Sequence, residues 1–295
     1  MSLPKKILEE KLRRFVEEDI GHGDVTTFHT VPPGTKVTAE IISKEKGVIA
    51  GIGETLTLLE SFGLQAKTLI EDGSKVGENM KIMQIEGDGA TLLSIERTLL
   101  NLLSRMCGIA TRTNRLVEKI LHAGCKTKVS CTRKTAPGLS FFDKKAVIVG
   151  GGDAHRWGLD DMVLIKDNHI AIAGSVKEAL RRVQKKVSFS KKIEIEVTDV
   201  NSALEAAQAG IDIVMLDNFT PKQAKAAINL LRKKGLRDKV LVEASGGITE
   251  QNILEYAASG VDIVSLGEIT QSAKALDMSL EITSVKKAST LKQRI

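Results

Sequence analysis

Aromatic residues are scarce: seven phenylalanines, one tyrosine and one tryptophan make 3% of 295 residues. So few stacking surfaces argue against a protein that reads nucleic-acid bases. Cysteine is equally thin. Cys107, Cys125 and Cys131 form no C-x-x-C pair and cannot all bridge one another, so reduced, mostly buried thiols are expected rather than a disulfide framework. No apolar run approaches the roughly 18 residues of a membrane span. The opening "MSLPKKILEEKLRRFVEED" mixes acids with bases and has no small-residue cleavage site, so it reads as an amphipathic helix rather than a signal peptide. A cytoplasmic protein is the expectation.

What the chain does carry is an excess of cations, 43 Lys and Arg against 37 Asp and Glu, a net charge of +6. Such a balance suits either a small polyanionic substrate or nucleic acid. The bases are scattered through helices that also carry acids, as in "VKEALRRVQKK", rather than gathered in one basic arm, which favours the small polyanion.

From about Lys126 onward, apolar strand-like runs alternate with helical patterns: "KTKVSCT", "MVLIK", "KIEIEVT", "IVMLDNF", "VLVEASGG" and "IVSLGEI". They are nearly continuous in Val, Ile and Leu, as strands covered on both faces are. Helix starts are readable between them. Ser175 with Glu178 predicts a capping box, Thr220 is followed by Pro221 and Gln223, and "TEQNILEYAAS" stops at Gly260. Six β/α units at roughly 20 to 25 residues each indicate a parallel α/β barrel or a doubly wound sheet.

The first ~105 residues lack this rhythm. They read as an opening helix, strand-like "KVTAEIISKEKGVIAG", a helix "GETLTLLESFG" and two hairpin-like runs, "KTLIEDGSKV" and "KIMQIEG". A long helical region, "TLLSIERTLLNLLSRMCGIATRTNRLVEKILHAG", follows, and "LEITSVKKAS" near the end predicts one more strand returning to the first domain. The expected fold is therefore α/β: an N-terminal α/β sandwich-like domain, residues 1–108 joined by 276–295, plus an open (β/α) barrel of about six to seven parallel strands, residues 109–275. The run "ENMKIMQIEG" superficially resembles a biotin-carrying Met-Lys-Met turn, but its lysine falls inside a predicted strand.

Catalytic residues of parallel α/β units sit where strands end. The polar residues there are Arg133 and Lys134, then Lys166, Glu196, Asp217, the group Ser245, Gly246 and Gly247, and Gly267. Cations come first, carboxylates follow and small residues come last. A single charge at a strand end is often structural, and an ion pair of Lys166 with Asp217 at the barrel mouth is the alternative reading of those two. Six consecutive strand ends of suitable chemistry point to function. "EASGG", ahead of a helix expected to start near Thr249, and Gly267 lie where barrels often bind phosphate. "GGGDAHRWGLDD" adds His155 and Arg156 behind three glycines, whose chain entropy implies close backbone approach or mobility. No second His or Cys stands at ligand spacing, which argues against a transition-metal site there.

Taken together, "EEDIGHGDVTT", "ERTLLNLLSRMCGIAT", "TRKTAPGL", "GGGDAHRWGLDDMVLIKDNHI", "IEIEVTD", "VMLDNF", "EASGGI" and "SLGEIT" resemble the quinolinate phosphoribosyltransferase family, in order and over nearly the whole chain. The resemblance implies transfer of a 5-phosphoribosyl group from phosphoribosyl pyrophosphate to the ring nitrogen of quinolinate. Loss of the 2-carboxylate as CO2 then leaves nicotinate mononucleotide, a step of NAD biosynthesis. It implies that Arg133, His155 and Arg156 hold the carboxylates, while Lys134 and Lys166 bridge toward the ribosyl phosphates and pyrophosphate. Glu196 and Asp217 would lie near the ribose hydroxyls and a substrate-associated Mg2+, directly or through water, and Lys134, Lys166, Glu196 and Asp217 would be the catalytic set. Ser245, Gly246, Gly247 and Gly267 would cradle the 5′-phosphate. Arg97 would reach into a neighbouring subunit's site, so a homodimer or a multiple of dimers is implied, with no nucleic-acid or membrane partner.

Four positions depart from the family's usual pattern: Cys107, Ser140, Ala154 and Gln271. Ser140 lowers local positive charge and leaves the fine substrate preference open. Two alternatives stand beside the main reading. One is a protein of the same fold acting on another anionic pyridine or aromatic acid; the other is a non-catalytic phosphate-ligand binder, against which the Glu196 and Asp217 pair speaks.

Overall fold

The computed structural model describes residues 3–286, in two compact units. The first comprises the chain up to Thr111 together with the segment from Ala273. The second is Arg112–Ser272. The end of the expected returning segment, residues 287–295, lies outside the described residues.

In the first unit, helix α1 (Lys5–Ile20) buries Leu8, Leu12 and Val16, an i, i+4, i+8 stripe on an otherwise charged cylinder. Helix α2 (Val25–Thr30) starts at Asp24, whose carboxylate accepts the Thr27 N–H at 2.9 Å. Strands β1 (Lys36–Ser43), β2 (Gly47–Val48), β3 (Gln65–Thr68), β4 (Lys75–Val76) and β5 (Lys81–Asp88) surround helix α3 (Ile52–Ser61) in sequence. The central strand is β1, antiparallel to β5 on one side and to the C-terminal strand Met278–Lys286 on the other, while β3 forms the edge beyond β5. Ala39, Ile41, Met83 and Ile85 are fully buried on this sheet. The returning strand is therefore where the sequence placed it. The hairpin reading of "KTLIEDGSKV" is corrected: β4 pairs with β2, and β5 with β1 and β3. Asp72 explains the detour, because its carboxylate accepts the N–H groups of Gly51 and Ile52 and ties the loop to the start of α3. Lys81 of the Met-Lys-Ile-Met run lies in strand β5.

Helix α4 (Gly89–His122) runs for 34 residues, and the boundary between the units falls within it. In the second unit, β6 (Lys128–Ser130), helix α5 (Ser140–Val149), β7 (Val163–Ile165), α6 (Asp167–Ala173), α7 (Val176–Lys186), β8 (Ile193–Val197), α8 (Val200–Gln208), β9 (Ile213–Asp217), α9 (Pro221–Lys233), β10 (Leu241–Ser245), α10 (Ile253–Ser259), β11 (Ile263–Ser265) and α11 (Glu268–Gln271) alternate along the chain. The six strands form one parallel sheet in the order β6-β11-β10-β9-β8-β7. Its edge strands β6 and β7 do not pair with each other, and an isolated parallel bridge joins Ser130 to Asp153 beside β6. The barrel is thus open, with six strands.

Side-chain caps account for several helix starts. Thr220 and Gln223 form the full capping box of α9 behind Pro221. At α7 only half of the expected box forms: Ser175 Oγ accepts the Glu178 N–H at 3.1 Å, but the Glu178 carboxylate turns to Arg181 and Arg182 instead. Those arginines hold Glu178 well below the usual carboxylate range, at about 2. Helix α10 begins at Ile253 rather than Thr249. Asn252 explains the difference, since its side chain accepts the Thr249 N–H and donates to the Gly247 carbonyl, closing a turn before the helix.

Candidate active site

The carboxyl ends of the parallel strands open into a cavity of about 810 Å3, within the range of small-molecule sites. Arg133, Lys134, His155, Arg156, Lys166, Glu196, Asp217, Ser245, Gly246, Gly247 and Gly267 all line it. Of the site residues expected from the sequence, Arg97 alone does not; it is exposed on α4 in the first unit. Gln271 lines the same cavity, so one of the four unusual positions faces it.

The cations stand on loops that leave strands. Arg133 and Lys134 follow β6 and are exposed, held by a Lys134 N–H to Thr132 Oγ1 bond of 3.1 Å and by Thr270 Oγ1 donating to the Lys134 carbonyl at 2.7 Å. Lys166 opens α6 directly after β7, its N–H donating to His169 Nδ1 at 2.9 Å. Its ammonium pairs with Glu196 rather than Asp217, because β8, which carries Glu196, is the strand next to β7. Asp217 ends β9 and accepts from Asn218 Nδ2 at 2.9 Å.

After β10 the chain turns on Gly246, φ +88°, and Gly247, φ +61°. A Cβ at Gly246 would stand 2.2 Å from Asn218 Oδ1 and 3.0 Å from the Asn218 N, so no other residue fits. The helix expected directly after this turn starts farther on, at Ile253, and the turn itself is made by the two left-handed glycines.

The triple glycine serves close approach rather than mobility. Gly150 caps α5, Gly151 has φ +89°, and a Cβ on Gly152 would meet Thr113 Cγ2 at 2.7 Å and Val147 Cγ1 at 2.9 Å. This packing delivers the chain into His155, a non-glycine residue at φ +53°. Left-handed backbone at such a residue costs energy and persists only where its surroundings enforce it. The enforcing contacts are visible: His155 N–H donates to Asp153 Oδ1 at 2.8 Å, and His155 Nδ1 accepts the Arg156 N–H at 2.8 Å. Lys144, fully buried on α5, donates through Nζ to the Ala154 carbonyl at 2.5 Å and the Thr132 carbonyl at 3.3 Å. It thereby ties together the two loops that carry Arg133 and His155. Burial lowers the Lys144 ammonium below its ordinary range and raises the neighbouring Cys131 thiol, 3.7 Å away.

Two further functional candidates were missed in the sequence. Glu194 on β8 and Glu243 on β10 are completely buried, and one oxygen of each lies 3.3 Å from His155 Nε2. Both sit two residues before a predicted site residue, Glu196 and Ser245, so the period-2 strand rule places them on the same face one layer deeper. A glutamate inside an apolar strand was the available signal. Burial opposes charge on His155, but contacts to the two carboxylates and their charge outweigh it and push the imidazole up to about 10. Burial likewise raises Glu194 to about 7 against the pull of His155. The backbone bond to Nδ1 favours the proton on Nε2. An imidazolium would lose the Nδ1 lone pair that accepts the Arg156 N–H, so the ring that makes this contact is neutral and the proton the cluster holds is shared with the glutamates, which titrate with the ring as a unit. The ligand atoms of His155, Glu194 and Glu243 lie within 4.8 Å of one another, close enough to meet on one cation, although the ion-pair contacts explain that spacing too.

Arg156 is 7% exposed, and burial together with the charge of Arg133 lowers its guanidinium below the ordinary range. Two guanidinium groups repelling each other at one cavity wall form a site that an anion stabilises. Glu196 and Asp217 offer carboxylate oxygens at the same mouth, a hard donor pair that suits Mg2+. Among the described residues no helix is long and apolar enough to cross a membrane.

Comparison with known proteins identifies the same architecture. Residues 24–107 match the family described as quinolinate phosphoribosyl transferase, N-terminal domain, and residues 109–281 match its C-terminal domain. The chain is 47% identical over 273 residues to a probable nicotinate-nucleotide pyrophosphorylase [carboxylating] of Methanocaldococcus jannaschii, covering 92% of this chain and 95% of that protein. It is 44% identical over 275 residues to the protein of the same description from Methanothermobacter thermautotrophicus, covering 93% and 99%. The crystal structure of NadC from Streptococcus pyogenes superimposes with a TM-score of 0.89 at 33% identity, over 98% of this chain and all of that one. On these matches, the chain belongs to the quinolinate phosphoribosyl transferase family.

Proposed function

We propose that the protein transfers the phosphoribosyl group of phosphoribosyl pyrophosphate to quinolinate and releases CO2, forming nicotinate mononucleotide for NAD biosynthesis. The observation that carries this reading is the convergence of four cations, Arg133, Lys134, Arg156 and Lys166, with two carboxylates, Glu196 and Asp217, on one cavity. Both substrates are polyanions that repel each other, and the cations offset that repulsion. Carboxylates beside an anion site would weaken simple binding, but they stabilise a sugar whose C1 becomes positive as pyrophosphate leaves.

Arg133 and Arg156 present planar forks to the pyridine carboxylates, with His155 locking the Arg156 backbone. Lys134 and Lys166 meet the phosphates as movable point charges, and the Gly246–Gly247 turn with Ser245 and Gly267 holds the 5′-phosphate through backbone amides. Lys166 and Glu196 form an ion pair. Binding of pyrophosphate draws the ammonium toward the phosphates and leaves Glu196 free to face the ribose. The C1–O bond to pyrophosphate breaks as the bond from C1 to the ring nitrogen forms. The alkylated ring then accepts, at C2, the electron pair left when the 2-carboxylate departs as CO2, and a proton completes the product. No step calls on Cys131, whose thiol burial keeps protonated. When bound, magnesium supplies positive charge against the departing pyrophosphate, and Glu196 and Asp217 are the residues that would hold it, directly or through water. Arg97 is the residue we assign to a neighbouring copy's cavity, in a homodimer or multiple of dimers, and the cytoplasm is the compartment that reduced thiols suit.

The test mixes the protein with quinolinate, phosphoribosyl pyrophosphate and Mg2+ and follows nicotinate mononucleotide by chromatography, with nicotinic acid as the alternative acceptor. Turnover of quinolinate alone is expected. Turnover of nicotinic acid alone would replace this reading with that of a same-fold enzyme for a different pyridine.

A further inference from the structure

Glu243 lines the cavity and Glu194 lies buried beside it, two acids that simple anion binding would not place there. Glu194 and Glu243 are wholly buried, and none of their four carboxylate oxygens accepts a hydrogen bond of good geometry. Negative charge beneath a site for dicarboxylates lowers affinity by Coulomb repulsion, and burying it costs desolvation as well. A structural pair would be served better by apolar residues of the same volume. Their placement relative to His155 supplies the reason for keeping them.

The two glutamates come from β8 and β10, which flank β9 in the sheet, so they approach the imidazole from two separate strands. His155 Nε2, 3.3 Å from each, is held between them, and Nδ1 on the far side of the ring fixes the Arg156 N–H at 2.8 Å. The ring is thus a strut between buried carboxylates and the backbone of an arginine that faces the cavity, and it stands on left-handed backbone that would relax without such anchors.

Building on the quinolinate reading above, we infer that Glu194 and Glu243 are positioning residues for the pyridine-dicarboxylate half of the pocket, acting through His155 on Arg156. The phosphate half has its own supports, the Gly246–Gly247 turn and the Lys166–Glu196 pair, and does not depend on them. Loss of either glutamate therefore weakens quinolinate selectively.

The test is steady-state kinetics with each substrate varied in turn, for the wild type, Glu243→Gln, Glu194→Gln, His155→Ala and the double variant His155→Ala/Glu243→Gln. In Glu243→Gln and Glu194→Gln the KM for quinolinate rises at least tenfold, while that for phosphoribosyl pyrophosphate stays within about twofold. In the His155→Ala background Glu243→Gln adds nothing further, as two residues acting through one contact require. Simple electrostatics predicts the opposite sign, because removing a negative charge tightens an anion. Unchanged or tighter quinolinate binding overturns the inference, as does an equal loss for both substrates. Metal analysis of the purified enzyme is the second arm: a stoichiometric divalent ion lost in Glu243→Gln would replace the strut with a metal site. If one glutamine variant fails to fold, the other carries the kinetic comparison. A wild type that does not turn over quinolinate defeats the functional reading; a wild type that does, with no selective loss in the variants, defeats only this inference.

Discussion

The two units keep their charges in different places. Among the described residues of the first unit, Glu54 is the one buried charged side chain, and ion pairs such as Lys5–Glu60, Lys44–Glu281 and Lys274–Glu45 lie at the surface. The second unit buries Asp143, Lys144, Arg156, Glu194 and Glu243. Among the described residues it also contains two of the three non-glycine residues with positive φ, His155 and Asn218. Exposed pairs contribute little to stability, whereas buried charges are costly and are kept where they aim something. The antiparallel unit is therefore held by ordinary apolar burial. The parallel unit gives up stability to hold a polar cavity floor in one geometry.

The contrast is sharpest at Arg133→Ala, a substitution on an exposed loop. Turnover is expected to fall by about a hundredfold or more while the thermal midpoint hardly moves, measured by product formation and calorimetry. A grossly unfolded variant would make the arginine structural and erase the distinction. In the first unit the pattern should invert. Leu58→Ala, at a position 1% exposed, is expected to cost about 2–5 kcal/mol in urea unfolding with both KM values unchanged.

Lys144→Met probes the boundary between the two behaviours. It leaves the Thr132 and Ala154 carbonyls without their donor, so a loss of about 1–3 kcal/mol is expected together with reduced turnover. Full activity in a destabilised Lys144→Met protein would show that the loops need no tie. The smallest effect is a pH dependence. Both His155 and Glu194 bind protons more firmly folded than unfolded. The stability they contribute is complete below their unfolded values and is lost as pH rises, through about 7 for Glu194 and about 10 for His155. The unfolding midpoint should therefore fall on the alkaline side, and less so in Glu194→Gln. An unchanged slope in that variant would remove Glu194 from the linkage.

Much of this was legible in the chain. Parallel strands covered on both faces give continuous apolar runs, so the first polar residue after each run marks the cavity rim; Lys166, Asp217 and Ser245 were found that way. The returning C-terminal strand announced itself by composition. Glu194 and Glu243 escaped because a reading that stops at the strand end takes the rim and overlooks the layer beneath it. Lys144 escaped because "DKKAV" looks like a solvated helix turn until the two loops above it are in place. The start of α10 was misjudged for a related reason: Asn252 captures backbone groups that a helix would otherwise use.

Residue order alone determined the alternation of strands and helices, the residues at the rim and the sign of the ligand's charge, because these follow from side-chain periodicity and from which groups end each apolar run. Pairings across the sheet were decided by tertiary structure. Which carboxylate neutralises Lys166 depends on β8 lying beside β7, and what holds His155 in left-handed backbone depends on β8 and β10 bringing two glutamates to one nitrogen. Contacts between residues tens of positions apart exist only once the chain has closed its loops, and no local pattern records them.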